Sequence, residues 1–221
     1  MDESLDERGW ATLPGLVAPS DCAELIARWD ADGIFRKRVI MARHGFGQGE
    51  YRYFDYPLPP LVQSLREALY PKLAPVANRW RERLRQSADF PDSLEAYLAK
   101  CHAAGQTRPT PLVLRYEAGD YNCLHQDLYG EQVFPLQVTV LLSDPARDFA
   151  GGEFLLVEQR PRAQSRGEVV PLSLGDAVVF AVRERPRQGA RGFHRVQMRH
   201  GVSRVRSGLR FTLGIIFHDA A

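Results

Sequence analysis

Gly175-Asp176-Ala177-Val178-Val179-Phe180 joins a turn to a short run of β-branched and aromatic residues. Segments of this kind recur on either side of it. Before it come 111–117, 134–143, 152–158 and 168–171; it opens 176–182; 195–200 and 209–218 follow. Gly or Pro often interrupts these runs and few helical patterns separate them. That spacing predicts a sandwich or barrel of short strands rather than a parallel sheet. The expected fold is mainly β with N-terminal helices, its core a double-stranded β-helix (jelly roll) over 109–221.

Residues 1–108 have a different texture. Leu25, Ile26 and Trp29 after Ser20 predict an amphipathic helix near 20–32. Leu73, Val76, Ala77, Trp80 and Leu84 recur at helical spacing and predict a helix over 71–87. Asp92 with Glu95 resembles a capping box for a third helix near 93–103. Between them, Arg38-Val39-Ile40-Met41 and Tyr51-Arg52-Tyr53-Phe54 flank the glycine-rich 45–49, which predicts two strands and a mobile connection across 36–55. The expected organisation is one structural unit, with a helical region, 1–108, packed on the core and 36–55 available as a lid.

Composition narrows the class. With 44% hydrophobic and 25% charged residues, the 221-residue chain can bury a core without disulfides or a structural metal. Cys22, Cys101 and Cys123 form no CxxC pair, so a reducing, cytoplasmic setting is expected. The acidic Met1-Asp2-Glu3-Ser4 start has no apolar run behind it, which speaks against a signal peptide, and no stretch approaches the about 18 apolar residues of a membrane helix. Charge is uneven. Residues 160–210 hold twelve arginines against Glu168, Asp176 and Glu184, a balance of +9 in a chain of net +2. A run like this either attracts a polyanion or spreads solvated charge over loops. No sequence feature specifies an oligomeric state.

His125-Gln126-Asp127 is the most informative short motif. In extended chain, residues two apart share a face, so imidazole and carboxylate converge. A second imidazole completes a facial triad that leaves three positions of an octahedral iron open, and His200 in Arg199-His200-Gly201-Val202 is the best candidate. Ten residues later Arg210-Phe211-Thr212-Leu213-Gly214 places a guanidinium among apolar neighbours, where it needs an anion, with Thr212 on the same face as a second donor. His102, His194 and His218 lack the spacing of a denser, cupin-like histidine set.

Together these residues resemble the 2-oxoglutarate- and iron(II)-dependent oxygenase superfamily over roughly 109–218. The likeness rests on His125-x-Asp127, His200 and Arg210-x-Thr212 in that order. Leu114-Arg115-Tyr116-x-x-Gly119-x-Tyr121-x-x-x-His125, Gly151-Gly152-Glu153-Phe154 and the 175–180 segment support it. The resemblance implies iron held by His125, Asp127 and His200, and 2-oxoglutarate held by Arg210 and Thr212 with Tyr116 facing its pocket. It also implies dioxygen as co-reactant and ascorbate as a reductant. Halogenases of the superfamily typically lack the carboxylate, so Asp127 implies hydroxylation.

The chain also looks like small bacterial oxygenases described as acting on damaged DNA by oxidative demethylation. That likeness implies damaged DNA or RNA as partner, with Arg43, His44, Tyr51, Arg52 and Tyr53 as a lid that stacks a displaced base. Arg210-x-Thr212, however, lacks the asparagine and the later arginines of the best-known alkylated-base dioxygenases. Its spacing is nearer to prolyl-hydroxylase-like enzymes, which act on a protein or peptide side chain. A small-molecule substrate and a non-enzymatic nucleic-acid-binding jelly-roll module complete the alternatives.

Overall fold

A computed structural model describes all 221 residues. In chain order the elements are α1 (Asp2–Arg8), β1 (Trp10–Leu13), α2 (Pro19–Ala27), β2 (Phe35–Ile40), a 3-10 turn (Met41–His44), β3 (Gly47–Gln48), β4 (Glu50–Phe54), α3 (Pro60–Arg83) and α4 (Leu94–Ala103). Ten strands complete the chain: β5 (Leu112–Glu117), β6 (Tyr121–His125), β7 (Leu136–Leu141), β8 (Phe149–Gly151), β9 (Phe154–Gln159), β10 (Arg166–Val170), β11 (Ala177–Ala181), β12 (Glu184–Gly189), β13 (Gly192–Val202) and β14 (Val205–Ile215). All the strands expected after position 109 are present. They form two antiparallel sheets, one ordered β1-β11-β7-β14-β5-β4-β2 with β8 beside β14, the other β10-β9-β13-β6-β3 with β12 beside β13. The jelly roll is the architecture expected from the sequence.

The N-terminal region carries its expected helices and also contributes strands to the core sheets. β1 pairs with β11, and β4 pairs with β5 and β2, so residues before 108 extend the larger sheet. The largest apolar cluster crosses position 108, joining Tyr70 and Tyr97 to Phe134 and Phe217. The connection inside 36–55 is held rather than loose: Gly47 and Gln48 pair with Asn122 and Tyr121, and Cys123 N–H donates to Phe46 O at 2.9 Å.

Helix α3 starts eleven residues before the expected 71–87 and runs through Pro71 and Pro75. Each interior proline costs about 3 kcal/mol. Both face solvent, while Val62, Leu69, Tyr70, Leu73, Val76 and Trp80 are buried on the other side. At about 1.5–3 kcal/mol per buried apolar side chain, packing outweighs the two lost hydrogen bonds. Arg66 pins this helix to the end of β14, donating to Ile216 O, Phe217 O and the buried Asp219 carboxylate. Two expected caps also differ. Ser93, not Asp92, caps α4 by accepting from Ala96 N–H, and α2 begins on Pro19, whose fixed φ suits a first helical turn, rather than after Ser20. No helix is long and apolar enough to cross a membrane.

Candidate metal centre

His125 ends β6, Asp127 follows two residues on, and both line a cavity of about 330 Å³ between the sheets. His200 stands on β13 directly across from His125 in the ladder, so the long-range pairing supplies the second imidazole. The two rings are 4.1 Å apart between centroids. Asp127 Oδ1 is 3.5 Å from His125 Nε2, and Oδ2 is 3.3 Å from His200 Nε2. One donor atom from each of the three residues lies within 4.8 Å of the others. The ladder slips just after His200, where Gly201 meets the β6 backbone. A Cβ there would come within 2.7 Å of Asn122 O.

Neighbours orient these groups. His125 Nδ1 lies 2.7 Å from Cys123 O, and since a carbonyl only accepts, Nδ1 carries the proton and Nε2 is the free donor atom. Tyr129 OH donates to Asp127 Oδ1 at 2.9 Å and itself accepts from Tyr53 OH at 3.0 Å. Phe180 and Phe154 flank the His200 ring at 4.7 and 6.1 Å. Gln126 donates to Met198 O at 2.8 Å, which ties the turn between the two motif residues to β13.

The electrostatics favour a bound cation. Burial opposes ionisation of Asp127, yet hydrogen bonds and charge from His125 and His200 hold its carboxyl well below the usual range. Burial and the neighbouring His125 hold His200 below the ordinary imidazole value. Burial pushes His125 down, but Asp127 together with the backbone of Cys123 and His200 lifts it above the ordinary imidazole value. Two imidazole nitrogens and a carboxylate, crowded on one wall of a cavity, fit a divalent metal that keeps open positions. Replacing Tyr129 by phenylalanine removes the hydroxyl that orients Asp127 and should weaken metal binding about tenfold or more, measured by Mn(II) titration.

Arg210 occupies the same cavity from β14. It is 1% exposed, and neither Nε nor Nη1 has a partner in the chain. The guanidinium lies 5.5 Å from the Tyr116 ring and 5.8 Å from that of Phe149, and burial pushes its pKa down to about 10. Gly152 makes room for it. That residue has φ +64°, and a Cβ would stand 2.8 Å from Arg210 Cδ. Thr212 lines the cavity two residues on, and buried Tyr116 accepts from Asn122 Nδ2 at 3.3 Å. An unpaired buried guanidinium beside hydroxyl groups has the chemistry to accept a carboxylate.

The expected lid divides differently. Tyr51 lines the cavity. Tyr53 is buried behind it in the hydroxyl chain to Asp127, where it cannot stack a base. Arg52, one residue out of phase on β4, points to the other face; its guanidinium lies 4.2 Å from the Trp29 ring and donates to Trp29 O. Arg43 is exposed and does not line the cavity, and His44 stacks on Phe46 at 5.3 Å. The mouth is instead ringed by Phe46, Leu124 and Leu128, which are 47%, 42% and 41% exposed.

The profile of one protein family, Oxygenase-NA, matches residues 49–220 and is described as "Oxygenase, catalysing oxidative methylation of damaged DNA". The chain belongs to this oxygenase family. The oxygenase is 56% identical over 196 residues to an uncharacterised protein of Mycobacterium tuberculosis, covering 86% of this chain and 84% of that one. Its fold is similar to that of a Pseudomonas putida prolyl-4-hydroxylase, with TM-score 0.58, 16% identity, and 100% and 97% of the two chains covered. A Burkholderia pseudomallei oxidoreductase of the 2OG-Fe(II) oxygenase family is similar at TM-score 0.54 and 18% identity, covering 100% of the oxygenase and 91% of that chain.

Six of the twelve arginines in the 160–210 run of the oxygenase are engaged in internal ion pairs. Arg160, Arg185 and Arg187 converge on buried Glu158, Arg206 reaches Glu153, Arg195 pairs with Glu184, and Arg166 approaches Glu168. Glu153 and Glu158 lie just before the 160–210 window, so a charge balance confined to that window leaves them out. Sequence reasoning also passed over Tyr129, although it continues the alternation of 125 and 127, and Phe46, hidden among glycines as part of a flexible connection.

Proposed function

We propose that this oxygenase uses iron(II), 2-oxoglutarate and dioxygen to hydroxylate the N-methyl carbon of a damaged nucleic-acid base. The observation that carries the reading is the presence, in one cavity of the family-matched region, of the His125–Asp127–His200 cluster and the unpaired Arg210. In this reading His125, Asp127 and His200 hold the metal through Nε2, a carboxylate oxygen and Nε2. Arg210 and Thr212 take the distal carboxylate of 2-oxoglutarate. When bound, iron with 2-oxoglutarate and dioxygen supplies the oxidising power for C–H hydroxylation, leaving succinate and carbon dioxide.

The chain's own residues bind, orient and exclude water. Tyr129 keeps Asp127 turned towards the imidazoles, Phe154 and Phe180 wall off His200, and the Phe46, Leu124 and Leu128 rim receives a base turned out of its stack. Inserting an oxygen atom into an N–CH3 group gives N–CH2OH, which releases formaldehyde and leaves N–H, so the methyl carbon is lost. The three free cysteines fit a cytoplasmic setting, and ascorbate would serve as reductant for the metal.

The test is succinate and formaldehyde release, with iron(II) and ascorbate, across methylated DNA and RNA oligonucleotides, proline-containing peptides and free metabolites. Stimulation by a methylated oligonucleotide is the expected result. Stimulation by a peptide alone would replace this reading with the prolyl-hydroxylase-like one, which the ten-residue interval from His200 to Arg210 favours.

A further inference from the structure

Strand β7 is buried along its whole length, yet it places Gln137 and Thr139 in the cavity wall. Gln137 is 4% exposed, its side chain makes no hydrogen bond within the chain, and its Oε1 is fully enclosed without a partner. Burying a carboxamide in that condition is unfavourable, and the protein around it offers nothing to relieve it. Its position separates it from the carboxylate receptor. Thr212 pairs with Leu141 and Gly214 with Thr139, so Gln137 lies one further inward-facing step along, at the level of Ile216. Arg210 is six residues from that level, about 20 Å of strand, a longer span than a five-carbon diacid bridges. On its other side Gln137 is the ladder partner of Phe180, whose ring packs on His200. The carboxamide therefore lines the same cavity as the metal cluster, on the side of Phe180 and His200 and several strand steps from Arg210.

We propose that Gln137 is the specificity-determining residue that reads the edge of a planar heterocycle entering between Phe46, Leu124 and Leu128. This deepens the reading under Proposed function and rests on it. The chemistry of the carboxamide selects the class of substrate. It offers an acceptor and two donors side by side in one plane. A nucleobase edge carries adjacent donor and acceptor atoms that match this pair. A trans peptide unit sends its N–H and C=O in opposite directions and engages only half of it. The rim agrees with this choice, because exposed apolar and aromatic side chains suit the faces of a base while the carboxamide takes its edge.

The test compares wild type with Gln137→Met, which keeps length and removes both hydrogen-bonding groups. The probes are single-stranded oligonucleotides carrying one 1-methyladenine or one 3-methylcytosine. The expected result is a fall of about tenfold or more in kcat/KM for the oligonucleotide. The KM for 2-oxoglutarate in uncoupled turnover should stay unchanged, and the Tm without substrate should be unchanged or higher. Equal kcat/KM values, a KM for 2-oxoglutarate that rises in step, or a Tm lower by about 3 °C or more would each overturn the assignment. The last outcome would mean that the carboxamide has a partner inside the protein. The wild-type arm alone judges the nucleic-acid reading. If only a proline peptide stimulates wild type and Q137M responds equally, both fail; if wild type answers the oligonucleotide and Q137M matches it, Gln137 alone does.

Discussion

Replacing His125, Asp127 or His200 by alanine should each abolish iron-dependent succinate release, a loss of more than about a hundredfold. Changes to residues that merely orient metal ligands already cost ten- to a hundredfold, and these three are proposed as the ligands themselves. The fold should survive, because the strands bearing the two histidines are paired along their length independently of the cluster. The three variants should nevertheless differ in stability. Asp127→Ala leaves the Tyr129 hydroxyl without an acceptor, at a cost of about 1–3 kcal/mol, while Tyr53 OH still donates to Tyr129 OH. Asp127→Asn keeps an acceptor for Tyr129 and should recover most of that stability without restoring turnover. Turnover assays beside thermal melts check both points. Wild-type activity in any one of the alanine variants would remove that residue from the metal site.

The second large effect has opposite signs in two assays. Arg210→Met should raise the 2-oxoglutarate requirement about thirtyfold or more, because removing one partner of a buried charged pair typically costs 2–5 kcal/mol or more, with about 1.4 kcal/mol per tenfold. Without cosubstrate the same change should stabilise the protein by about 1 kcal/mol or more, since a buried guanidinium with unpartnered nitrogens gives way to an apolar side chain. Steady-state kinetics and melts with and without 2-oxoglutarate read out the pair of effects. Metal affinity should not change. A variant that is both weaker for cosubstrate and less stable alone would point to a structural role for Arg210 instead.

Much of this site is legible in the amino-acid sequence because its parts obey local rules. Period two brings His125 and Asp127 to one face, and the same rule carried one step further reaches Tyr129. An arginine among Phe211, Leu213 and Ile215 announces a buried guanidinium, and Gly152 beside it answers the need for space. What the sequence conceals is long-range. The His200–His125 ladder pair spans 75 residues, and no local window assigns it. The phase of β4 decides that Tyr51 faces the cavity while Arg52 faces Trp29, and a one-residue shift in that phase would exchange them. Pro71 reads as a first helical residue and so hides the turns of α3 before it, because the packing that carries the helix through both prolines lies in another part of the chain. Gln137 reads as one polar residue in an apolar strand; only the enclosure of its unpartnered oxygen makes it informative.

Calorimetric titration of 2-oxoglutarate into the protein, under anaerobic conditions with and without Mn(II), tests the central claim most directly. A diacid held at one end by Arg210 and at the other by a metal on His125, Asp127 and His200 must bind at least about tenfold more tightly with the metal present. That coupling must disappear in His125→Ala and in Asp127→Ala. Equal 2-oxoglutarate affinity with and without the metal, or coupling that persists in those variants, would contradict the account.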